Sequence, residues 1–227
     1  MTNLSGFNGN TTAELCARWH QLGAGYSFSR NHNTDDGIEQ DPVALGKVVE
    51  QAAKEALLVR YAHLPYLYTL FYKANRSGGT VLRPLFFEFP NDTNAGFIDE
   101  QFMWGSAMMF APALNQGETV STIYFPAGTW YHSVNYARAT STGQFMRQKA
   151  GFDVPNVYYR AGSIVPTQEA KVTTDETRAG NVTLVVVLEN ENGKANGNLY
   201  WDSGDGLDTE ELGHYNLYNF QVYDVSI

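Results

Sequence analysis

The fold is decided by residues 22–33, which read LGAGYSFSRNHN. Gly23 and Gly25 mark the end of a helix, because glycine readily adopts the backbone conformations that close one. A short aromatic and polar strand follows, and it finishes on the polar run Arg30-Asn31-His32-Asn33. Polar side chains at the carboxyl end of a strand are typical of the ligand-binding edge of an α/β barrel.

Helical patterns flank this strand on both sides. Upstream, Thr11-x-x-Glu14 is a capping box and predicts a helix whose buried stripe includes Leu15 and Leu22. Downstream, Asp41-Pro42 predicts the start of a long helix, with an acidic cap and proline at the first helical position. Pro65 predicts a kink or restart in that helix, and residues 77–79 (Ser-Gly-Gly) should end it.

From residue 80 onward the hydrophobic pattern changes from helical to strand-like. Short apolar runs alternate with turn residues at 81–89, 107–114, 120–125, 129–132, 157–165, 182–188 and 199–201. Regularly spaced short strands favour an antiparallel sandwich. Residues 202–206 (Asp-Ser-Gly-Asp-Gly) place glycines where calcium ligands would be needed, so we interpret them as a hairpin turn. The sequence therefore predicts an α+β chain that is mainly β.

The composition excludes several classes of partner and chemistry. The formal net charge of −9 argues against a nucleic-acid partner, since phosphates require a basic surface. We find no apolar run that would span a membrane, and residues 1–4 do not read as a signal peptide. The single cysteine, Cys16, cannot form an internal disulfide and has no evident base beside it. The histidine spacing predicts no metal site, and no fingerprint of a cofactor is present.

The chain resembles glycoside hydrolase family 31, which includes α-glucosidases, over nearly its whole length. The motifs that carry this resemblance occur in order along the chain: Gly6-Phe7, Glu14–Trp19, Gln21–Ala24, Ser29–Asn33, Arg60-Tyr61, Arg83–Leu85, Gln101–Gly105, Pro126–Tyr131, Arg160–Ile164 and Tyr200–Asp202. Any one of these motifs would be a weak signal, whereas their common order is specific.

The resemblance implies the architecture and the parent activity. Residues 1–79 should be the carboxy-terminal strand-helix units of a (β/α)8 catalytic barrel. Residues 80–166 should form a proximal β-sandwich domain, and residues 167–227 a distal, incomplete one. The parent would be a retaining hydrolase of terminal α-linked glucose in α-glucosides or α-glucans. In the family both catalytic aspartates precede the Gly-Phe loop, so we expect this chain to carry no catalytic residue and to be inactive alone.

The resemblance also implies two substrate-binding residues, Phe7 and His32. Phe7 matches the aromatic wall of the family's sugar pocket, and His32 matches a side chain that contacts the sugar directly. From the residues alone, each has an alternative role, Phe7 in the core and His32 as a hydrogen-bonded residue at a buried strand end. Asn3 stands where the family has an acidic substrate contact, so this chain departs from the pattern there.

Two further expectations concern location and a rival function. The family suggests the secretory pathway, in the lysosome or outside the cell. Five Asn-x-Ser/Thr glycosylation patterns agree with that suggestion, at Asn3, Asn10, Asn75, Asn91 and Asn181. The rival interpretation is a non-catalytic β-sandwich module that binds a glycan or a protein partner. Exposed apolar surface along the helix predicted at 42–75 would favour the hydrolase over this module.

Overall fold

The computed structural model describes residues 2–3, 6–190 and 193–223, with the backbone alone for residues 2 and 3. The first part of the chain contains two short parallel strands and three helices. They are β1 (Thr2–Asn3), α1 (Ala13–Gly23), β2 (Ser29–Arg30), α2 (Lys47–Ala62) and α3 (Leu64–Ser77). This order of alternating strands and helices is that of the end of an α/β barrel, as predicted.

Helix α1 differs from the prediction in its cap and in its buried face. Its N-cap is Thr12 rather than Thr11, because the Thr12 hydroxyl accepts the N–H of Leu15 at 3.2 Å. Leu15 is 45% exposed, so the predicted stripe was wrong at that position. The buried face instead carries small or polar residues: Cys16, Ala17, Arg18, His20, Gln21 and Gly23.

Helices α2 and α3 begin later and break earlier than a single helix from residue 42 would. The Asp41 carboxylate accepts the N–H of Val43 at 2.9 Å, which closes a turn instead of capping a helix. Gly46, with a φ of 97°, then separates this turn from α2. The predicted restart near Pro65 is confirmed, with α3 beginning at Leu64. Within the described residues, we find no helix long and apolar enough to cross a membrane.

Antiparallel sheets follow, up to residue 160, and the four-stranded sheet after them includes one parallel pair, β11 (Ser163–Gln168) with β13 (Ala195–Trp201). A six-stranded sheet has the order β3-β4-β5-β10-β7-β8, and β6 pairs separately with β9. The strands are β3 (Leu82–Pro84), β4 (Phe102–Trp104), β5 (Met108–Phe110), β6 (Val120–Phe125), β7 (Gly128–His132), β8 (Arg138–Ser141), β9 (Gln144–Lys149) and β10 (Val157–Arg160). A short helix, α4 (Leu85–Glu88), follows β3, so the predicted strand over 81–89 is only partly a strand.

The six-stranded sheet buries side chains on both faces, because successive residues of a strand point to opposite sides. On one face Trp104, Met108 and Phe110 form a core cluster that includes Leu67 and Leu70 of α3. On the other face a cluster that includes Met103, Met109 and Trp130 contains Tyr124 and Phe125 from β6. This sheet is therefore the layer between the helices and the paired strands β6 and β9.

A four-stranded sheet completes the described chain, in the order β12-β11-β13-β14. Its strands are β11 (Ser163–Gln168), β12 (Val182–Val187), β13 (Ala195–Trp201) and β14 (Asn216–Val222), with the short helix α5 (Thr174–Arg178) between β11 and β12. The single strand predicted over 157–165 is two strands in different sheets, because Gly162 turns the chain with a φ of 85°. Strands outnumber helices, and the predicted α+β, mainly β class is confirmed.

The sequence predicts a tight hairpin turn directly after β13, but the connection to β14 is much longer. Trp201 pairs with Asn216, so residues 202–215 form a long connection between the two strands. Its first residue, Asp202, is buried and accepts hydrogen bonds from the Tyr68 hydroxyl at 2.9 Å and the Gly204 N–H at 2.8 Å. Burial alone would raise the pKa of the Asp202 carboxyl, but these hydrogen bonds outweigh burial and lower the pKa. Asp202 therefore fastens the four-stranded sheet to α3.

His63 occupies the break between α2 and α3 and is buried. Its Nδ1 lies 2.6 Å from the carbonyl oxygen of Val59, and its Nε2 lies 2.6 Å from the hydroxyl of Tyr159. We assign the proton to Nδ1, so that Nε2 accepts the Tyr159 hydroxyl. Burial lowers the pKa of His63 from 6.5 to about 4, since the charged imidazolium is poorly solvated there.

We expect His63 to make the chain less stable in acid. The unfolded chain takes up a proton near pH 6.5 and the folded chain only near pH 4. The contribution to stability is therefore complete above pH 6.5 and is lost as pH falls towards 4. Between pH 7 and 4.5 the free energy of unfolding should fall by about 2–3 kcal/mol from this group. Urea titrations at both pH values should show a smaller fall in the free energy of unfolding for His63→Gln than for the unmodified chain.

The control for that experiment is His214→Gln, which changes an exposed histidine of the same chain. It should leave the dependence on pH unchanged. Some dependence should remain in His63→Gln, because burial also lowers the pKa values of His20 and His132. An equal fall in stability for His63→Gln and the unmodified chain would contradict the assignment.

Candidate functional site

Strands β1 and β2 bring two distant loops to one edge of the structure. They pair in parallel, with Thr2 opposite Ser29 and Asn3 opposite Arg30. In parallel strands the segments that follow lie at the same end of the sheet. The loops 6–10 and 31–40 therefore leave β1 and β2 side by side, although they are about 25 residues apart in the sequence.

Phe7 and His32 are in contact at this edge. Their rings stack with a centroid separation of 5.3 Å and an interplanar angle of 17°. Phe7 is 43% exposed and His32 is also exposed, so neither belongs to a core. The structure thus brings together the two residues that the sequence singled out. The side chain of Asn3, the departure from the family pattern, lies outside the described residues.

Hydrogen bonds between the two loops fix this arrangement. The side chain of buried Gln40 donates from Nε2 to the carbonyl of Gly6 at 3.1 Å. The Oδ1 of Asn10 accepts the N–H of Ile38 at 2.9 Å. Within the second loop, Asn31 donates from Nδ2 to the carbonyl of Gln40 at 2.8 Å. Each loop is therefore held by the other at two points.

Arg60, in the last turn of α2, holds the segment that leads into β2. Its Nη1 donates to the carbonyls of Ala24 at 2.8 Å and Tyr26 at 2.6 Å. Its Nη2 donates to the carbonyl of Ser27 at 3.4 Å. One guanidinium thus satisfies three carbonyls, as its fixed fork of donors allows. The partly buried Arg60 therefore positions residues 24–27, which lead into β2 and His32.

The six-stranded sheet also contacts this segment, beside Arg60, whose guanidinium lies 6.0 Å from the centre of the Trp104 ring. The indole N–H of Trp104 donates to the carbonyl of Gly25. Glycine is required there, because a Cβ at position 25 would lie 2.6 Å from Cδ1 of Phe110 and 2.9 Å from Cζ of Phe102. Tyr26 stacks on Phe102 with ring centroids 5.7 Å apart. The sheet is therefore part of the structure that orients β2.

The Phe7–His32 edge can offer a ligand two kinds of contact. An exposed phenylalanine face offers apolar contact, and a neighbouring imidazole can donate or accept a hydrogen bond with a hydroxyl group. Among the residues that the structure describes, no three His, Cys, Asp or Glu side chains are grouped to hold a metal ion. The edge therefore has the features of a binding surface.

Cys16 has a closer neighbour than the sequence suggested. Its Sγ lies 3.5 Å from Nδ1 of His20, one helical turn along α1. Both side chains are buried, and burial raises the pKa of the thiol to about 11. The same imidazole nitrogen lies 2.8 Å from the carbonyl oxygen of Cys16. The thiol therefore stays protonated near neutral pH and packs as a small core residue.

Sequence reasoning identified the two surface residues but missed those that hold them. Gln40 and Asn10 lie in polar loops where no periodic pattern marks a buried amide. Arg60 lies in one of the motifs that carry the family resemblance, which was the one available signal. Its partners are 33–36 residues away in the sequence, so spacing alone could not assign its role.

Comparisons with known proteins agree with this geometry. Residues 2–70 match the family model described as the glycosyl hydrolases family 31 TIM-barrel domain, and residues 78–165 match the glycosyl hydrolase family 31 C-terminal domain. Lysosomal alpha-glucosidase of Rattus norvegicus is 42% identical over 243 residues, covering 99% of this chain and 25% of the relative. Probable maltase-glucoamylase 2 of Homo sapiens is 43% identical over 218 residues, covering 96% of this chain and 9% of the relative.

A solved structure gives the same result. The crystal structure of glucosidase II alpha subunit superposes with a TM-score of 0.92 and 29% identity, covering 98% of this chain and 24% of that one. The chain thus spans about a quarter of the length of the lysosomal relatives it matches. The two family matches follow one another along the chain, the first over the helical part and the second over the six-stranded sheet and the β6–β9 pair. The chain belongs to glycosyl hydrolase family 31 and contains the end of its TIM barrel and its C-terminal domain.

Proposed function

We propose that this chain supplies part of the sugar pocket of an α-glucosidase that acts on terminal α-linked glucose. The observation that carries the proposal is the Phe7–His32 stack beyond the carboxyl ends of two parallel strands. In this proposal Phe7 forms an apolar wall against the glucose ring. His32 exchanges hydrogen bonds with the hydroxyl groups of the same ring. The substrate is an α-glucoside or an α-glucan.

The proposed reaction is a two-step retaining hydrolysis. It requires two carboxyl groups about 5 Å apart, one as nucleophile and one as acid/base. We propose that both belong to parts of the barrel outside this chain, and that neither a metal nor a cofactor takes part. The contribution of His32 is to bond to the sugar hydroxyls more strongly as the ring approaches its oxocarbenium-like transition state.

The exposed apolar side chains of α2 support a longer barrel over the rival β-sandwich module. Val48 is 55% exposed, and Leu57 and Leu58 are each 37% exposed. Apolar side chains on a helix of an α/β barrel pack on the strands of that barrel. These exposed positions fit a helix that contacts further barrel strands in a longer protein, which a self-contained binding module would not need.

We further propose a division of the chain into residues 1–79, 80–166 and 167–227. The family matches at 2–70 and 78–165 support the first boundary. The boundary at 166 falls inside β11, a strand of the four-stranded sheet, so the turn at Gly162 marks the change of sheet more closely. The names of the relatives include lysosomal and intestinal enzymes, which supports a secretory-pathway location for this protein.

The proposal is tested by comparing two proteins. The 227-residue chain alone should hydrolyse maltose no faster than buffer, because it lacks the catalytic pair. A chimera of the rat lysosomal alpha-glucosidase, with its matched quarter replaced by this chain, should hydrolyse maltose. A folded chimera without activity would contradict the proposal. Robust turnover by the chain alone would place the catalytic acids within it and contradict their assignment elsewhere.

A further inference from the structure

A cleft lies between α3, the six-stranded sheet and the four-stranded sheet. It is separate from the Phe7–His32 edge. Its volume is about 390 Å³. Three cationic side chains line it from three different elements, Lys73 of α3, Arg83 of β3 and Arg160 of β10. Hydroxyl and amide side chains of Ser106, Ser163 and Asn196 complete its polar lining. The cleft is therefore rich in hydrogen-bond donors.

The positive charges of this cleft are only partly compensated. Arg83 forms an ion pair with Glu88, and Nη1 of Arg160 lies 3.9 Å from Oε2 of the same carboxylate. Lys73 donates from Nζ to the neutral amide oxygen of Asn198 at 2.7 Å. Of the residues that line the cleft within the described ranges, none is acidic. The two arginines thus share one adjacent carboxylate and Lys73 bonds to a neutral amide, in a chain whose net charge is −9.

The energetics of Lys73 agree with this shortage of negative charge. Its pKa is lowered, first by burial and then by repulsion from Arg83. Arg160 packs with its guanidinium 4.3 Å from the centre of the ring of Phe89, a residue outside the cleft lining. The fold thus holds like charges together at a cost, and a bound anion would offset their repulsion.

We propose that this cleft binds a small oxyanion of the phosphate or sulfate type. The two arginines offer planar forks of N–H donors, which match such oxyanions, and the Lys73 ammonium adds a point charge. The hydroxyl of Ser106 and the amide of Asn196 are further donors at the lining. A neutral sugar would gain little from three cations, whereas a phosphate group would pair with them. The inference is independent of the α-glucosidase proposal.

The test is a calorimetric titration of the 227-residue chain with inorganic phosphate. Potassium chloride at equal ionic strength measures the non-specific effect of salt. Lys73→Gln should weaken phosphate binding at least tenfold, because one cation is removed while an amide remains within reach of Asn198. Lys47→Gln is the matched control, because Lys47 is exposed and forms an ion pair with Glu50 on the surface of α2. It should leave the affinity unchanged.

A second variant distinguishes a loss of phosphate binding from a folding defect in Lys73→Gln. Ser106 is exposed at the cleft, so Ser106→Asp should preserve the fold and abolish phosphate binding by adding a negative charge. Glucose 6-phosphate in place of phosphate identifies the source of the anion, since tighter binding would indicate a phosphorylated sugar and equal binding the free ion. Equal affinity of the unmodified chain and both cleft variants, or equal heats from phosphate and chloride, would overturn the proposal.

Discussion

Replacing His32 with alanine in the chimeric enzyme should lower kcat/KM for maltose about 100-fold. The loss corresponds to one hydrogen bond in a dry site, roughly 2–3 kcal/mol. Both kcat and affinity should fall, because the bond is expected to be stronger in the transition state than in the ground state. The melting temperature should change little, since His32 is exposed and contributes few packing contacts.

The matched control is His214→Ala, which removes another exposed imidazole far along the chain. It should leave both the kinetics and the melting temperature unchanged. Measuring the two quantities on one preparation separates a role in substrate binding from a role in folding. A lower melting temperature with normal kinetics per folded molecule would make His32 a structural residue of the loop 31–40.

Replacing Asp202 with alanine should lower the free energy of unfolding of the 227-residue chain by about 2–4 kcal/mol. The change removes the acceptor for the Tyr68 hydroxyl, for the Gly204 N–H and for Arg178, whose Nη2 lies 3.3 Å from Oδ1. Arg178 would keep its bond to the backbone carbonyl of residue 202, and Gly204 is exposed, so the main cost is the loss of the charged acceptor for the half-buried Tyr68 hydroxyl. Urea denaturation provides the measurement.

Asp205→Ala is the control, because Asp205 is an exposed carboxylate of the same connection. It should change the free energy of unfolding by less than about 0.5 kcal/mol. Tryptophan fluorescence adds a local measurement, since the guanidinium of Arg178 lies 4.1 Å from the centre of the Trp201 ring. If Asp202→Ala were as stable as the control, the hydrogen bonds of Asp202 would not hold the four-stranded sheet against α3.

Local patterns predicted much of the fold because local chemistry decides many element boundaries. The break at Pro65, the end of α3 at Ser77 and the strand at 120–125 all follow from residue types within a few positions. The start of α2 was missed because Gly46 and the Asp41 turn overrode the Asp-Pro signal. Competing local signals of similar strength cannot be ranked without the surrounding contacts.

The buried face of α1 shows what sequence patterns could not predict. Arg18 is buried because its guanidinium donates to the carbonyl of Glu118, and Gln21 because its side chain donates to the carbonyl of Gly151 at 3.0 Å. These partners lie 100 and 130 residues away. Leu15 is exposed on the same helix. A periodicity of large apolar residues could not reveal this face, because α1 packs small side chains, Cys16 and Ala17, on α2 and satisfies two polar side chains with distant carbonyls.

For the candidate site, the sequence predicted which residues would meet but not what holds them. Phe7 and His32 were identified through the family resemblance, and their contact is a property of the parallel pairing of β1 and β2. The supports from Gln40 and Arg60 depend on side chains that satisfy carbonyls across loops. Such bonds leave no repeating pattern, so they become visible only in three dimensions.

The hydrogen bond from Trp104 to Gly25 has a consequence for how this protein can be recombined. The two residues belong to separate family matches, 2–70 and 78–165, which suggests interchangeable modules. Gly25 nevertheless fits only against the rings of Phe102 and Phe110. A hybrid that joins this barrel end to sheets from a distant relative would inherit mismatched surfaces at that seam. A hybrid should therefore keep Gly25 and its two ring partners in one piece. This is achieved when the barrel end and the sheets are transferred together, with the crossover before residue 6.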